Sequence, residues 1–469
     1  MKLLFKNFGY TFTSNLVSTI ISTIIVLVLP KVMGTDQYGY VQLYMLYSGY
    51  VAFLHLGIVD GVYLRFGGHY YEDLNPTSFS RQFQIFNFIQ TAFALIILVI
   101  GTTLNADYDK KVLAVCLAVS VILNNNKSFV QYIFQSTGRI KMYSLMIIIE
   151  KVCYLMLVLC GLFMGARQFY IVAVFDLLAK LASLSYGLYY GRSVLMKKVL
   201  PDMEALKETL INMRCGLNLT ISYLVGISIV SIVRLNIENV WSIETFAKVS
   251  LSLSVSNMLL MFIRAVAVVM FPMLRRTSSD KLAGIYRTMR TCLMLPLLGM
   301  LVFYYPAKVI LSAWLPQYAD SLVYMALLFP MCVFESKMSM LIETYMKTLR
   351  KEKWLLMVNV ATVSLSVVLT LVTTYWLHNL DLAVASIVVL LAFRCVFAEL
   401  LLSRVLQIHV IQDIALELAL TIIFITASWF IGGVAGLAVY AVAYVVYLVI
   451  KRKDVQFAFN TVKRLVGRK

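Results

Sequence analysis

The stretch "QSTGRIKMYSL" (135–145) places Arg139 and Lys141 directly after Gly138, between two long apolar runs. Upstream lies "VLAVCLAVSVILNNNKSFVQYIF" (112–134) and downstream "MIIIEKVCYLMLVLCGLFMG" (146–165). Each run can cross a hydrocarbon core of ~30 Å as a helix. The cations therefore mark a surface turn between two membrane helices. The arrangement recurs in "TYMKTLRKEKWLLM" (344–357). Aligning the two turns puts Arg139 and Lys141 on Lys351 and Lys353, Asn124 on Ser336, Gln131 on Glu343 and Gln135 on Lys347. A looser pair is "VYLRFGGHYYED" (62–73) with "MFPMLRRTSSD" (270–280), which aligns Arg65 with Arg275. Two halves of the same polarity follow, an arrangement used by transporters.

Composition agrees. Of 469 residues, 61% are hydrophobic and 14% charged, with a mean hydropathy of +0.85. Soluble domains are nearer half apolar and a quarter charged. Backbone groups in lipid must be satisfied within the segment, so the runs are helices; they are too long and too apolar for alternating barrel strands. The basic N-terminus before an apolar run resembles a signal peptide, but the run continues to Leu29 without a cleavage pattern and reads as a retained first helix. About fourteen spans are expected, at 9–32, 40–64, 83–104, 112–135, 143–165, 168–191, 215–236, 245–272, 290–314, 320–346, 354–377, 381–403, 414–431 and 434–450. The fold class is an all-α polytopic membrane protein. Two pseudo-symmetric six-helix lobes are expected, followed by two C-terminal helices. The expected domains are an N-terminal lobe 1–195, a cytoplasmic linker 196–214, a C-terminal lobe 215–408, extra helices 409–450 and a basic tail 451–469.

Most of the 41 Lys and Arg fall in alternate loops and at both ends. The positive-inside rule then puts both termini in the cytoplasm. The net charge of +18 is thus topological, facing anionic lipid headgroups rather than nucleic acid. The seven cysteines form no CxxC pair and the four histidines are scattered, so no metal site, disulfide framework or cofactor is expected. The expected external loops are too short for a catalytic domain, and no GxxxxGK[ST] motif indicates ATP hydrolysis.

Polar stripes run along several helices: Asn7, Thr11, Ser14, Ser18 and Ser22 with Asn15 on the first; Asn124, Ser128, Gln131 and Gln135 on the fourth; Ser250, Ser254, Asn257 and Arg264 on the eighth. Such a stripe faces another helix or a water-filled cavity. Within the membrane the cations are Lys127, Lys151, Lys180, Lys248, Arg264, Lys337 and Arg394, with Lys127 and Lys248 near enough to helix ends to snorkel. Candidate acids are Asp60, Glu150, Asp176, Glu335, Glu343 and Glu399. Asp176 and Lys180 have the favourable spacing for a pair on one helix. Glu150–Lys151 and Glu335–Lys337 are too close in sequence to face each other, so each needs a partner elsewhere. Arg264 has no acid nearby on its own helix, and the planar guanidinium suits a phosphate or diphosphate. The tyrosines 38, 40, 44, 47 and 50 read as an aromatic belt at the outer interface, with sugar stacking as the alternative.

The stretch "LVLPKVMGTDQYGYVQLYMLYSGYVAFLHLGIVDGVYLRF" (27–66), with "VVMFPMLRR" and "STGRIK", resembles the polysaccharide or O-antigen flippases (Wzx type) of the multidrug/oligosaccharidyl-lipid/polysaccharide exporter superfamily. Arg350 stands where that family often has glycine. The resemblance implies two lobes around a central cavity, in a flippase that carries an undecaprenyl-diphosphate-linked oligosaccharide from the cytoplasmic to the outer leaflet of a bacterial plasma membrane by alternating access, for surface polysaccharide synthesis. Arg264, Lys180, Arg394, Lys151, Lys337, Asn257, Asn15 and Ser18 would line the cavity. Asp176, Glu150, Glu335 and Asp60 are the coupling or ion-pair candidates. Arg65, Arg275, Arg139 and Lys141 would stand at the cytoplasmic entrance. A monomer working beside a polymerase or export assembly is expected. The rival readings are a multidrug/cation antiporter of the same superfamily and a membrane glycosyltransferase or polymerase.

Overall fold

The computed structural model describes residues 2–104, 107–275 and 279–456, leaving out the side chains of 2–8, 259, 261–275, 279–281 and 352. Helices account for nearly all of it, with no strand among the described residues. Eleven are long and apolar enough to cross a membrane, or up to thirteen if each of two bent pairs counts as one span. The expected fourteen is therefore not reached among the described residues. The expected eighth span, 245–272, falls on a helix whose second half has no described side chains.

The chain divides into two compact units, Met1–Leu224 and Val225–Lys469. The first holds α1 (Lys2–Val32), α2 (Thr35–Val51), α3 (Ile58–Phe66), α4 (Pro76–Leu104), α5 (Tyr108–Ser136), α6 (Ile140–Phe163), α7 (Phe169–Leu195) and the first part of α8 (Met203–Val240). Helix α8 starts inside the segment expected as a linker.

Local sequence explains where these helices begin and end. Pro76 opens α4, where a missing N–H costs nothing, and Asn75 Oδ1 accepts the N–H groups of Thr77 and Ser78 at 3.1 and 3.2 Å. Asp107 caps α5 by accepting the Asp109 N–H at 3.1 Å. Gly138 (φ +76°) ends α5 in the left-handed conformation that glycine adopts most easily. Helix α5 is the most enclosed span, with 61% of its apolar window buried against 17% for α4. Its neighbours are α4, α7, α3 and α2.

Between α2 and α3 the chain bends by 59°. Leu56 (φ +53°) and Gly57 (φ +80°) are both left-handed, and His55 Nδ1 accepts the Gly57 N–H at 3.0 Å. Helix α3 then crosses α8 backbone against backbone. A Cβ on Gly61 would lie 1.8 Å from the Asn212 carbonyl oxygen, and one on Gly216 would lie 2.0 Å from that of Gly57. Only glycine permits this approach.

The second unit holds the rest of α8, then α9 (Ile243–Arg275), α10 (Ser279–Met300), α11 (Tyr304–Trp314), α12 (Tyr324–Leu328), α13 (Met331–Ser336), α14 (Glu343–Thr348), α15 (Glu352–Thr370), α16 (Leu380–Leu406), α17 (Ile411–Thr426) and α18 (Gly433–Ile450). A π-helical turn, Lys337–Ile342, joins α13 to α14. The turn after α14 puts Arg350 at φ +55°, at the position aligned with Gly138. The repeated basic turns therefore share their left-handed residue although one is arginine. Phe424 of α17 and Tyr440 of α18 pack edge to face at 5.1 Å, and Tyr440 donates to the Leu298 carbonyl at 2.6 Å. The last two helices thus belong to the core of the second unit.

Candidate functional site

A cavity of about 330 Å³ opens within the first unit. Asp60 and Tyr63 of α3, Ser128, Gln131, Tyr132 and Gln135 of α5, Tyr143 of α6, and Leu219 and Tyr223 of α8 line it. The polar stripe of α5 therefore faces this cavity. Helical spacing brings Ser128, Gln131 and Gln135 to one face, and the bend at Gly57 turns Asp60 toward them. Asp60 is 4% exposed; it accepts a hydrogen bond from Thr220 Oγ1 at 2.5 Å and lies 3.9 Å from His55 Nε2. Among the described residues no lysine or arginine lines the cavity. The four tyrosines escaped the sequence reading, which had no means of telling which rings α3, α5, α6 and α8 bring together.

Beside it, on another face of α5, lies a buried ionic layer. Lys127 donates to Glu150 at 2.7 Å, and Lys151 is 4.0 Å from the same carboxylate. Lys180 donates to Asp176 at 2.6 Å, the pairing their spacing predicts, and Tyr44 donates to Asp176 at 2.7 Å. Three cations meet two carboxylates, and Lys151, with its side chain 31% exposed, is the least enclosed. Two expectations change here. Lys127 does not snorkel, because Glu150 satisfies it in place. Tyr38, Tyr40 and Tyr44 are buried rather than forming an outer belt. Each of these phenols has a polar partner inside the unit, Tyr38 with Gln42, Tyr40 with Asp107 and Tyr44 with Asp176.

Two of the expected entrance cations, Arg65 and Arg139, are held by acids. Arg65 donates to Asn212 at 2.6 Å and Glu208 at 2.9 Å, and Arg81 pairs with Asp202. Arg139 donates to Glu72 at 2.9 Å and lies 3.6 Å over the Tyr71 ring. That hydrogen bond holds the exposed Glu72 carboxyl below the ordinary glutamate range. Lys141 is exposed. On α1, Asn15 is exposed and Ser18 half-buried, away from the residues that line the cavity.

The second unit holds a larger ionic cluster. Lys337 donates to Glu417 at 2.7 Å and pairs with Glu399. Arg290 meets Glu399 at 2.8 Å, Glu417 at 2.9 Å and Asp413 at 3.1 Å. Lys451 also pairs with Asp413, and Tyr286 donates to Glu399 at 2.9 Å. Lys337 is 2% exposed, so it stands inside packed protein rather than on a cavity wall. Arg290, at the start of the expected span 290–314, is 4% exposed for the same reason. Glu417 went unread, although a lone acid in the apolar run "IALELALTII" was its signal. Glu335 and Lys337 do take separate partners. Glu335 accepts from Arg394 at 3.1 Å, and Arg394 also donates to Asn359 at 2.8 Å and Glu343 at 3.3 Å. Asn257 is exposed, and the Arg264 and Arg275 side chains lie outside the described residues. Among the described residues no His, Cys, Asp or Glu group could hold a metal.

Among solved structures, the lipid II flippase MurJ in an inward closed conformation is 10% identical, with a TM-score of 0.56 over 95% of this chain and 99% of that one. An outward-facing MATE-family multidrug resistance transporter is 13% identical, with a TM-score of 0.55 over 86% of this chain and 96% of that one. A MOP-superfamily transporter from Pyrococcus furiosus, described as having a binding pocket of reversed polarity, is 13% identical, with a TM-score of 0.54 over the same shares. These likenesses show the fold alone, which this chain shares with those three proteins. Among curated proteins none matches the chain. The family model described as "polysaccharide biosynthesis protein" matches residues 4–278, more than half of the sequence. The chain belongs to the polysaccharide biosynthesis protein family.

Proposed function

We propose that this protein is a flippase for a polyprenyl-diphosphate-linked oligosaccharide, moving it from the cytoplasmic to the outer leaflet of the plasma membrane by alternating access, with the two six-helix halves as its moving parts. One observation carries the reading. In a chain of this family, the first unit contains a polar cavity walled by tyrosines, glutamines and a carboxylate, the groups that bind hydroxyl-rich ligands. We assign the diphosphate to cations outside that cavity. Lys151 is the leading candidate in the first unit, because three cations there share two acids and its own tie to Glu150 is the longest. Arg264 is the second assignment, carried by its sequence position alone. The tail stays in lipid, and undecaprenyl is the carrier we propose.

Proteoliposomes holding a fluorescent lipid-diphosphate oligosaccharide test this. Lys151→Ala and Arg264→Ala should each slow leaflet exchange about tenfold, the loss of one charge-assisted contact. Unchanged exchange in both, with normal folding, would remove the diphosphate assignment.

A second reading has an observation of its own. Asp60 among four tyrosines is also a site for a hydrophobic organic cation, as a multidrug antiporter requires. Transport of a cationic dye, lost in Asp60→Asn, would favour it.

A further inference from the structure

We propose that the cavity of the first unit is a subsite for a neutral or amino sugar of the transported head group, and that Asp60 makes it reject sugars bearing a carboxylate. This rests on the lipid-linked oligosaccharide reading above and adds the class of glycan.

The size and chemistry of the walls match one saccharide ring. A volume of about 330 Å³ is at the small end of ligand cavities, which run from ~300 to 1,000 Å³. A pyranose ring has apolar C–H faces and an equator of hydroxyls. Tyrosine rings cover the faces, and the phenols, Gln131 and Gln135 both donate and accept at the edge. An ionised Asp60 only accepts, which suits hydroxyl or ammonium donors.

The charge balance supplies the selectivity. Among the described residues one carboxylate lines the cavity and no lysine or arginine does. Three cations on or beside the lining helices are committed to other acids: Lys127 to Glu150, Arg65 to Glu208, Arg139 to Glu72. His55, 3.9 Å from Asp60, is not among the lining residues. A sugar carboxylate entering here would meet Asp60 with no lysine or arginine among the described lining residues to offset the repulsion. Nor can Asp60 readily swing aside. Thr220 holds it at 2.5 Å, and Gly61 fixes its neighbouring backbone against Asn212. The same balance keeps the diphosphate out of this cavity, consistent with its assignment elsewhere.

The test uses the full chain with two probes that share one lipid diphosphate. One carries a neutral hexose and N-acetylhexosamine unit, and the other carries the same unit with a uronic acid. Wild-type protein should exchange the neutral probe at least about tenfold faster, and Asp60→Asn should bring the two rates within about threefold by removing the repulsive element. Tyr223 is 54% exposed, so Tyr223→Ala should fold; it should slow both probes and leave their ratio unchanged. Binding of the tail-free glycans to detergent-solubilised protein is measured in parallel. Equal exchange of the two probes by wild type, or an unaltered ratio in Asp60→Asn, overturns the subsite while leaving the flippase reading intact. Selective glycan binding without exchange of either probe upholds the subsite and overturns the flippase reading.

Discussion

Single residues in this protein act mainly by deciding where a charge is held. Lys127 and Glu150 illustrate the energetics. Taking either ion out of water costs several kcal/mol, and their contact at 2.7 Å repays this only while both are present. Lys127→Met should therefore destabilise the protein by up to about 3–5 kcal/mol, because Glu150 would keep only the looser Lys151 contact at 4.0 Å. The double variant Lys127→Met with Glu150→Leu should recover most of the loss, as unfolding in detergent would record. If the double variant were no better than the single, the cost would lie in packing rather than in the orphaned charge. Gly61 tests geometry instead. A Cβ there would lie 1.8 Å from a backbone oxygen that has no room to retreat, so Gly61→Ala should reduce folded yield, whereas Gly68→Ala, with open space around it, should retain more.

At the scale of elements, ion pairs fasten helices together. Deleting residues 409–469 removes Asp413, Glu417 and Lys451, leaving Arg290 and Lys337 with Glu399 alone. The second unit would then bury an uncompensated positive charge. We expect it to lose protease resistance while the first unit keeps its own; equal resistance of both would show that the cluster is dispensable. The loop between α3 and α4 has a pH-dependent anchor. Arg139 lowers the Glu72 carboxyl, so the anchor's contribution is complete above the ordinary glutamate value of about 4.3 and is lost as pH falls below it. Cleavage of an engineered protease site in residues 67–70 should stay low from neutral pH down to about 5 and rise below about 4. In Glu72→Gln it should be high and flat across that range.

For the whole molecule, the sequence signals that survived were local ones. The aligned basic turns share a left-handed residue at Gly138 and Arg350, the spacing of Asp176 and Lys180 gave their pair, and the stripe Ser128, Gln131, Gln135 marked a polar wall. Partners far apart in sequence were not legible. Nothing near Lys337 points to Glu417, and nothing near Tyr44 points to Asp176. The tyrosines of α2 were misread because aromatic rings near a span's end look alike whether they meet headgroups or a buried acid. Asp60 looked like a coupling acid, and only the bend at Gly57 turned it toward the tyrosines. The central claim is that the protein carries a lipid-linked glycan. Proteoliposomes of the wild-type chain, loaded in parallel with a fluorescent lipid-diphosphate oligosaccharide and with a cationic dye, test it most directly. The account predicts protein-dependent exchange of the lipid probe between leaflets and no accelerated movement of the dye. Dye transport with no lipid exchange would contradict it.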